Sequence, residues 1–267
     1  MTADLDTLAK KSATIISVAN QKGGVGKTTT ALNLAAFISD TKKKTLLIDL
    51  DPQANATSGI GMELNNIHHS IYDVISEKEP IQNCIYPTAF ENLHIVPSSS
   101  SLAGAEVELS HVVSRETILK KRLQGVAKCY DYIIIDCAPS LGLLTLNAFS
   151  VSSQLVIPVQ CEYFALEGLA KLTNTVQLIK ERLNPTLSIL GILLTMFDKR
   201  TSLNRQVVND ARRHFSHLIF ETIIPRNIRL AEAPSFGLPI ALYEPRSNGS
   251  IAYYQLAKEV VYRVNAN

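Results

Sequence analysis

The sequence predicts an α/β protein: a doubly wound, mostly parallel sheet flanked by helices on both faces. Three observations carry that prediction. Apolar runs rich in β-branched residues alternate with helix-period segments from Thr14 to the C-terminus. Most of these runs are apolar at successive positions, which leaves neither face of their sheet for water. The first run passes through a glycine-rich loop directly into a helix-period segment, the order of elements that opens a crossover unit.

The strands are read at Thr14–Asn20, Thr45–Asp49, Leu93–Pro97, Tyr132–Asp136, Gln154–Val159, Ser188–Phe197 and Leu218–Ile224. Helices are read between and after them at Thr28–Ser39, Ser114–Ala127, Leu143–Val151, Glu162–Leu183, Leu203–Phe215 and Ser250–Val264. In the fourth helix Leu169, Leu172, Val176, Ile179 and Leu183 recur every three or four residues, a single stripe that faces the sheet. Right-handed crossovers then place any ligand site in the loops at the carboxyl ends of the strands. With no internal repeat or linker-like stretch, residues 1–13 are read as a short leader and residues 14–267 as one domain.

Composition narrows the function classes. The 267 residues are 46% hydrophobic and 19% charged, enough apolar material for a sizeable core. No run approaches the roughly 18 apolar residues of a membrane span, and residues 1–13 carry Asp4, Asp6, Lys10 and Lys11 in place of a secretory apolar core. Cys84, Cys129, Cys137 and Cys161 form no C-x-x-C pair and are expected as buried, unreactive thiols of a reduced, cytoplasmic protein. The net charge is only +2, so any nucleic-acid surface has to be a local patch.

The chemistry begins after the first strand, in Gln21-Lys22-Gly23-Gly24-Val25-Gly26-Lys27-Thr28-Thr29. Glycines let backbone N–H groups turn inward around a phosphate, and the following helix N-terminus adds positive potential. Lys27 is placed to reach β and γ phosphates and Thr28 to ligate Mg²⁺. The pattern G-x-x-x-x-G-K-[ST] is met except at its first position, where Gln21 replaces glycine, and a second lysine, Lys22, precedes the glycine pair. Two more strands end in acids. Thr45–Asp49 closes on Asp49 and Asp51, two residues apart, and Tyr132–Asp136 is four apolar residues followed by a carboxylate, the pattern that sets an acid beside the Mg²⁺ of a nucleotide site.

Together, Lys22–Thr29, Asp49-Leu-Asp51-Pro-Gln53 and Ile133-Ile-Ile-Asp136-Cys-Ala-Pro-Ser140 resemble the deviant Walker P-loop ATPases, and among them the ParA (Soj-like) partitioning branch. The similarity continues through Leu194–Thr201 and Ile224–Gly237. The resemblance implies ATP and Mg²⁺ as cofactors, with Lys22, Gly23, Gly24, Val25, Gly26, Lys27, Thr28 and Thr29 around the nucleotide and Pro225 and Asn227 against its adenine. It implies a homodimer that sandwiches two nucleotides, with Lys22 reaching the partner's ATP. Asp51 is implied to position or activate the attacking water. Thr28, Asp49 and Asp136 are implied at the metal, the aspartates acting through its water shell. The leader is too short for the winged-helix DNA reader of some plasmid relatives, so sequence-specific operator binding is not expected.

Lys199–Arg229 contains seven Lys or Arg against Asp210 and Glu221, net +5, which leaves net −3 for the rest of the chain. Charge gathered in this way is the footprint of phosphate-backbone contact, and Arg200 and Arg229 match family positions used for non-specific double-stranded DNA. His214 and His217, without a matching Cys or carboxylate pair, are read as surface histidines. The resemblance implies a ParB-type DNA-binding protein as the partner that stimulates hydrolysis, no membrane attachment, and a cytoplasmic, nucleoid-associated location. The alternative is a membrane-surface ATPase of the MinD type. The segment Ser250–Asn267 argues against it, since its only bases are Lys258 and Arg263, and it is expected to pack on the sheet. A nitrogenase-iron-like electron carrier would need paired cluster cysteines, which the sparse cysteines do not provide.

Overall fold

A computed structural model describes residues 12–162 and 165–266. Seven strands, β1 (Thr14–Val18), β2 (Thr45–Leu50), β3 (Tyr86–Pro87), β4 (Leu93–Val96), β5 (Tyr132–Cys137), β6 (Gln154–Gln160) and β7 (Ser188–Thr195), form one sheet in the order β3-β4-β2-β5-β1-β6-β7. All pairs are parallel except β3 with β4. The sheet is doubly wound as expected. β2 and β5 are buried at every residue, so each face needs its own cover and the core divides in two.

On one side α1 (Lys27–Asp40) covers the centre of the sheet and is itself covered by α11 (Asn248–Ala266). On the other lie α6 (Leu143–Val151) and α7 (Ala165–Arg182). The stripe of α7 is buried from Leu169 to Ile179, with Leu183 partly buried beyond it. Its expected start falls partly on residues 163–164, outside the described residues, as do most of the leader residues 1–13. At Ala13 the chain is already docked, its N–H donating to the Ala127 carbonyl at 2.9 Å.

Four expectations are corrected. Leu218–Ile224 is no strand of the sheet; it meets β7 at an isolated bridge, Ile219 with Ile192, and through the Ile224 N–H, which donates to the Leu194 carbonyl at 2.9 Å, while Pro225 bridges Phe197 just beyond the two segments. The reason lies in α11, whose Glu259 carboxylate takes the N–H groups of Glu221 and Thr222 at 2.9 and 3.0 Å, so these donors turn away from β7. The helix expected over Ser114–Ala127 is reduced to α5 (Ile118–Leu123) between short 3₁₀ turns. Residues 52–92 and 98–113, for which the sequence suggested no elements, hold the short helices α2 (Asn55–Gly59), α3 (Ile71–Ile75) and α4 (Leu102–Glu108), and the two-residue edge strand β3, blunted by Pro87. Cys129 is exposed, whereas Cys84, Cys137 and Cys161 are buried.

The C-terminal helix α11 packs on α1 more than on the sheet. It buries Ala252, Tyr253, Leu256, Ala257 and Val260 and leaves Ile251 and Tyr254 exposed. Tyr253 locks it to α1 through its hydroxyl, 3.1 Å from Thr30 Oγ1. The remaining helices, α8 (Ser202–Phe215), α9 (Ile228–Glu232) and α10 (Ile240–Tyr243), follow β7.

Candidate nucleotide site

The three central strands bring their carboxyl ends together. Register places Val18 of β1 beside Asp136 of β5, and Asp136 beside Asp49 of β2. The phosphate loop leaves β1 at that edge. Gly24 and Gly26 adopt φ of +74° and +90°, a left-handed backbone that glycine takes without the penalty a side chain would bring. Gly26 then caps α1, whose first residue is Lys27.

Lys27 is buried, and its ammonium donates to the Lys22 carbonyl at 3.0 Å. Burial lowers its pKa by stripping water from the charged form; the charges of Asp136 and Asp51 pull it partly back. Lys27 is thus a desolvated cation inside the loop, positioned to pair with a phosphate held by the loop.

The acids differ. Asp49 is fully buried and fully used: Oδ2 accepts from the Thr57 N–H at 2.8 Å and the Thr57 hydroxyl at 2.7 Å, and Oδ1 from the Asp51 N–H at 3.2 Å. Burial nevertheless raises its pKa to about 6 against these bonds. Asp136 is as deeply buried, and among the described residues neither of its carboxylate oxygens has a hydrogen-bond partner. Burial, with the neighbouring Asp49 charge, drives its pKa well above the carboxylate range. The Thr28 hydroxyl faces it and lowers the pKa in part, without closing to a hydrogen bond. A buried carboxylate with both oxygens orphaned, next to a threonine hydroxyl, has the donor chemistry that suits Mg²⁺. Asp51 lies at the same edge, nearly buried, accepting from the Gln53 N–H at 2.9 Å.

Lys22 is half exposed and forms an ion pair with Glu162, just beyond β6. Asn20 fixes the base of this lysine: its side-chain amide donates to the Pro158 carbonyl at 2.7 Å and its Oδ1 accepts from the Lys22 N–H at 3.0 Å. On the other flank of the loop the Thr195 hydroxyl donates to the Val25 carbonyl at 2.9 Å. Next to Gly26 and Thr29 opens a cavity of about 330 Å³, lined on its far side by Thr195, Met196, Pro225 and Asn227. Pro225 and Asn227, about two hundred residues from the loop in sequence, are therefore beside it in space, while Gly23 and Gly24 stay exposed.

The basic segment Lys199–Arg229 supplies part of this cavity's wall, Arg226 included, and three of its six arginines are ion-paired. Arg200 grips Asp198 through Nε and Nη2, the latter at 2.7 Å, and this holds the Asp198 pKa down at about 2. Arg229 pairs with Glu232 at 2.8 Å and Arg212 with Glu221 at 3.3 Å. Arg226 is near enough to add to the pull on Asp198. The sequence reading missed Asn20, Thr57, Glu162 and Thr195. Each is an ordinary polar residue whose role arises from a neighbour far along the chain, Thr57 excepted. Thr57 stands eight residues after Asp49 in a segment with no helical or strand period.

A family model described as an AAA domain matches residues 13–189. The sporulation initiation inhibitor protein Soj of Bacillus subtilis (strain 168) is 53% identical over 246 residues, 92% of this chain and 97% of that protein. The chromosome partitioning protein ParA of Myxococcus xanthus (strain DK1622) is 52% identical over 249 residues, 93% of this chain and 88% of that protein. Among solved structures, cobyrinic acid a,c-diamide synthase from Mycobacterium smegmatis with bound ATP analog and magnesium has a TM-score of 0.83 at 32% identity, covering 95% of this chain and 96% of that one. Half identical to Soj and ParA over almost its whole length, the chain belongs to the ParA/Soj family of partitioning ATPases.

Proposed function

We propose that this chain is an ATP-dependent DNA-segregation ATPase of the cytoplasm and nucleoid. It binds ATP and Mg²⁺, dimerises around two nucleotides, holds DNA of arbitrary sequence, and releases it when a ParB-type protein stimulates hydrolysis. The observation that carries the reading is Asp136: a fully buried carboxylate without a partner, beside Thr28 and Lys27 at the mouth of a glycine loop, is costly unless a cation completes it. The ATP analogue and magnesium on the Mycobacterium smegmatis relative support the same cofactors here.

Within this reading Lys27 and the backbone N–H groups of Gly23–Thr29 cradle the phosphates, and Pro225 and Asn227 line the side that takes the base. Thr28 and Asp136 hold the metal, and Asp49 orients the loop that carries Asp51. When bound, Mg²⁺ neutralises charge that develops on the phosphate oxygens. Asp51 accepts a hydrogen bond from the attacking water and sets its direction. Phosphoryl transfer to water needs mainly such positioning and charge compensation, so no covalent intermediate is required. Lys22 leaves Glu162 to reach the partner's nucleotide.

Arg200 and Arg229 serve the DNA. Their pairs with Asp198 and Glu232 are solvent-exposed, hence weak and screened, and a phosphate can replace the carboxylate. The face of α11 that buries Leu256 and Val260 is engaged on the domain, and no described helix is long and apolar enough to cross a membrane. Equilibrium binding of duplexes of unrelated sequence, with and without ATP, tests the proposal. Affinity should require ATP, ignore sequence, and fall steeply with salt. Arg200→Ala with Arg229→Ala should reduce the log–log salt slope by about 0.9 for each DNA phosphate no longer neutralised, with ATP binding and dimerisation intact. ATP-dependent sedimentation with anionic liposomes, combined with DNA affinity unchanged in the double variant, overturns it in favour of a membrane-surface ATPase.

A further inference from the structure

The exit of β7 touches three parts of the molecule within six residues. Thr195 holds the phosphate loop through the Val25 carbonyl. Met196 lines the cavity beside Pro225 and Asn227, with φ of +54°, a left-handed backbone that costs a residue bearing a side chain. Phe197 pairs with the other cavity wall: its N–H donates to the Ile224 carbonyl at 3.0 Å and its carbonyl accepts from the Arg226 N–H at 2.9 Å. Asp198 then grips Arg200.

One side chain closes this segment back onto the nucleotide edge. Asn204, in the first turn of α8, accepts from the Asp198 N–H through Oδ1 at 2.7 Å and donates from Nδ2 to the Cys161 carbonyl at 2.7 Å. Cys161 is itself held to β7, its N–H donating to the Thr195 carbonyl at 3.0 Å, and the next residue is Glu162, the partner of Lys22. The connection runs from Lys22 through Glu162, the Cys161 carbonyl, Asn204 and Asp198 to Arg200. Both of its ends are open to exchange: Lys22 can hold Glu162 or a nucleotide, and Arg200 can hold Asp198 or a DNA phosphate.

We propose that Asn204 is a positioning residue that couples the nucleotide state at Lys22 to the readiness of Arg200 for DNA. The proposal rests on the reading of the chain as an ATP-dependent DNA binder. When Lys22 turns to a nucleotide, Glu162 loses its counter-charge, and the Cys161–Glu162 peptide is the group that Asn204 senses. Asn204 ties that peptide to the backbone of Asp198, so a shift on one side changes how Asp198 presents to Arg200. A residue that merely held the loop would need only the Oδ1 bond to Asp198; the Nδ2 bond to an element 43 residues away in sequence is what makes the link.

The experiment measures duplex affinity with and without ATP for the full chain, wild type, Asn204→Ala and Asn204→Asp, together with ATP affinity, dimerisation by sedimentation and thermal stability. Asn204→Asp keeps an acceptor for the Asp198 N–H and loses the donor to Cys161. Both variants should bind ATP and dimerise as wild type does, yet lose at least tenfold of the ATP dependence of DNA binding. Linkage then requires the effect of DNA on ATP affinity to fall by the same factor. The nucleotide-free salt slope should not change, because Asn204 makes no phosphate contact. Wild-type ATP dependence in Asn204→Asp, with Asn204→Ala only less heat-stable, overturns the coupling and leaves Asn204 a loop brace. Loss of dimerisation in step with DNA binding overturns it also. A wild-type chain that binds DNA equally with and without ATP removes the functional reading itself, and the coupling with it.

Discussion

Asp49 and Asp136 sit side by side on adjacent strands, equally buried, and have opposite surroundings. Asp49 ends β2 facing a loop that returns to it: Ala54, at φ of +52°, turns the chain so that Thr57 delivers both its N–H and its hydroxyl. Asp136 ends β5 where the chain moves on toward α6, and none of its own loop comes back to it. Register alone makes the two acids equivalents. The difference teaches that a buried carboxylate saturated by its own chain is a brace, whereas one left open by its chain is a place for something that the chain does not supply.

Asp51, on the loop that Asp49 braces, provides the largest expected effect. Asp51→Ala should lower turnover by about 10² to 10⁴, the range for a positioned acid or base, with ATP affinity and dimerisation kept. Single-turnover hydrolysis against equilibrium ATP binding separates the two. Normal turnover would take the water-positioning role from Asp51.

Breaking the brace should appear as lost stability. Asp49→Ala leaves the Thr57 donors and the Asp51 N–H without an acceptor, a loss of about 1 to 3 kcal/mol. Chemical denaturation without nucleotide measures it. Thr57→Val should reproduce part of the loss, since Thr57 also accepts from the Ser98 N–H at 2.9 Å. Thr57→Val and Asp49→Ala should not add, because both remove one network.

Asp136→Asn should invert that pattern. The nucleotide-free protein should be no less stable than wild type, because the substitution removes a buried carboxyl whose oxygens no hydrogen bond satisfies and whose ionisation burial already penalises. Mg²⁺-dependent ATP affinity or turnover should nevertheless fall by about 10- to 100-fold, the usual cost of disturbing a metal's surroundings. Paired Mg²⁺ titrations and melting curves decide it. A variant that loses stability as Asp49→Ala does would make the two acids alike and erase the comparison.

The smallest effect concerns the cation between them. Burial holds the Lys27 pKa below the ordinary lysine range, so at alkaline pH a fraction of the empty sites is neutral. Bound phosphates favour the charged form, and ATP binding should therefore take up less than one proton per site, increasingly as pH rises through the lowered pKa. Calorimetry in buffers of different ionisation enthalpy reads the uptake. Lys27→Ala should lose the uptake together with productive binding.

Much of the site was legible from the chain because its signals are local. Strand, glycines, Lys27 and Thr28 fall within one crossover, and the strand-end acids each close an apolar run. The doubly wound sheet was legible for the same reason: continuous apolar strands such as Ile133–Ile135 demand cover on both faces. Reading failed where one element decides the state of another. Leu218–Ile224 has strand composition, but Glu259 of α11 captured two of its donors.

The sequence by itself determined the six parallel strands and the main helices between them, the phosphate loop, and which acids reach the carboxyl edge, because periodicity and motif spacing act over a few residues. It also determined the charge of Lys199–Arg229. Tertiary structure alone decided that Asp49 is satisfied and Asp136 is not. It placed Pro225 and Asn227 beside Gly26, gave Lys22 to Glu162, and joined Cys161 to Asp198 through Asn204. Each of these depends on which polar group meets which across the sheet edge. A hydrogen bond forms only within about 3 Å, and the chain brings such partners together only once its strands are in register.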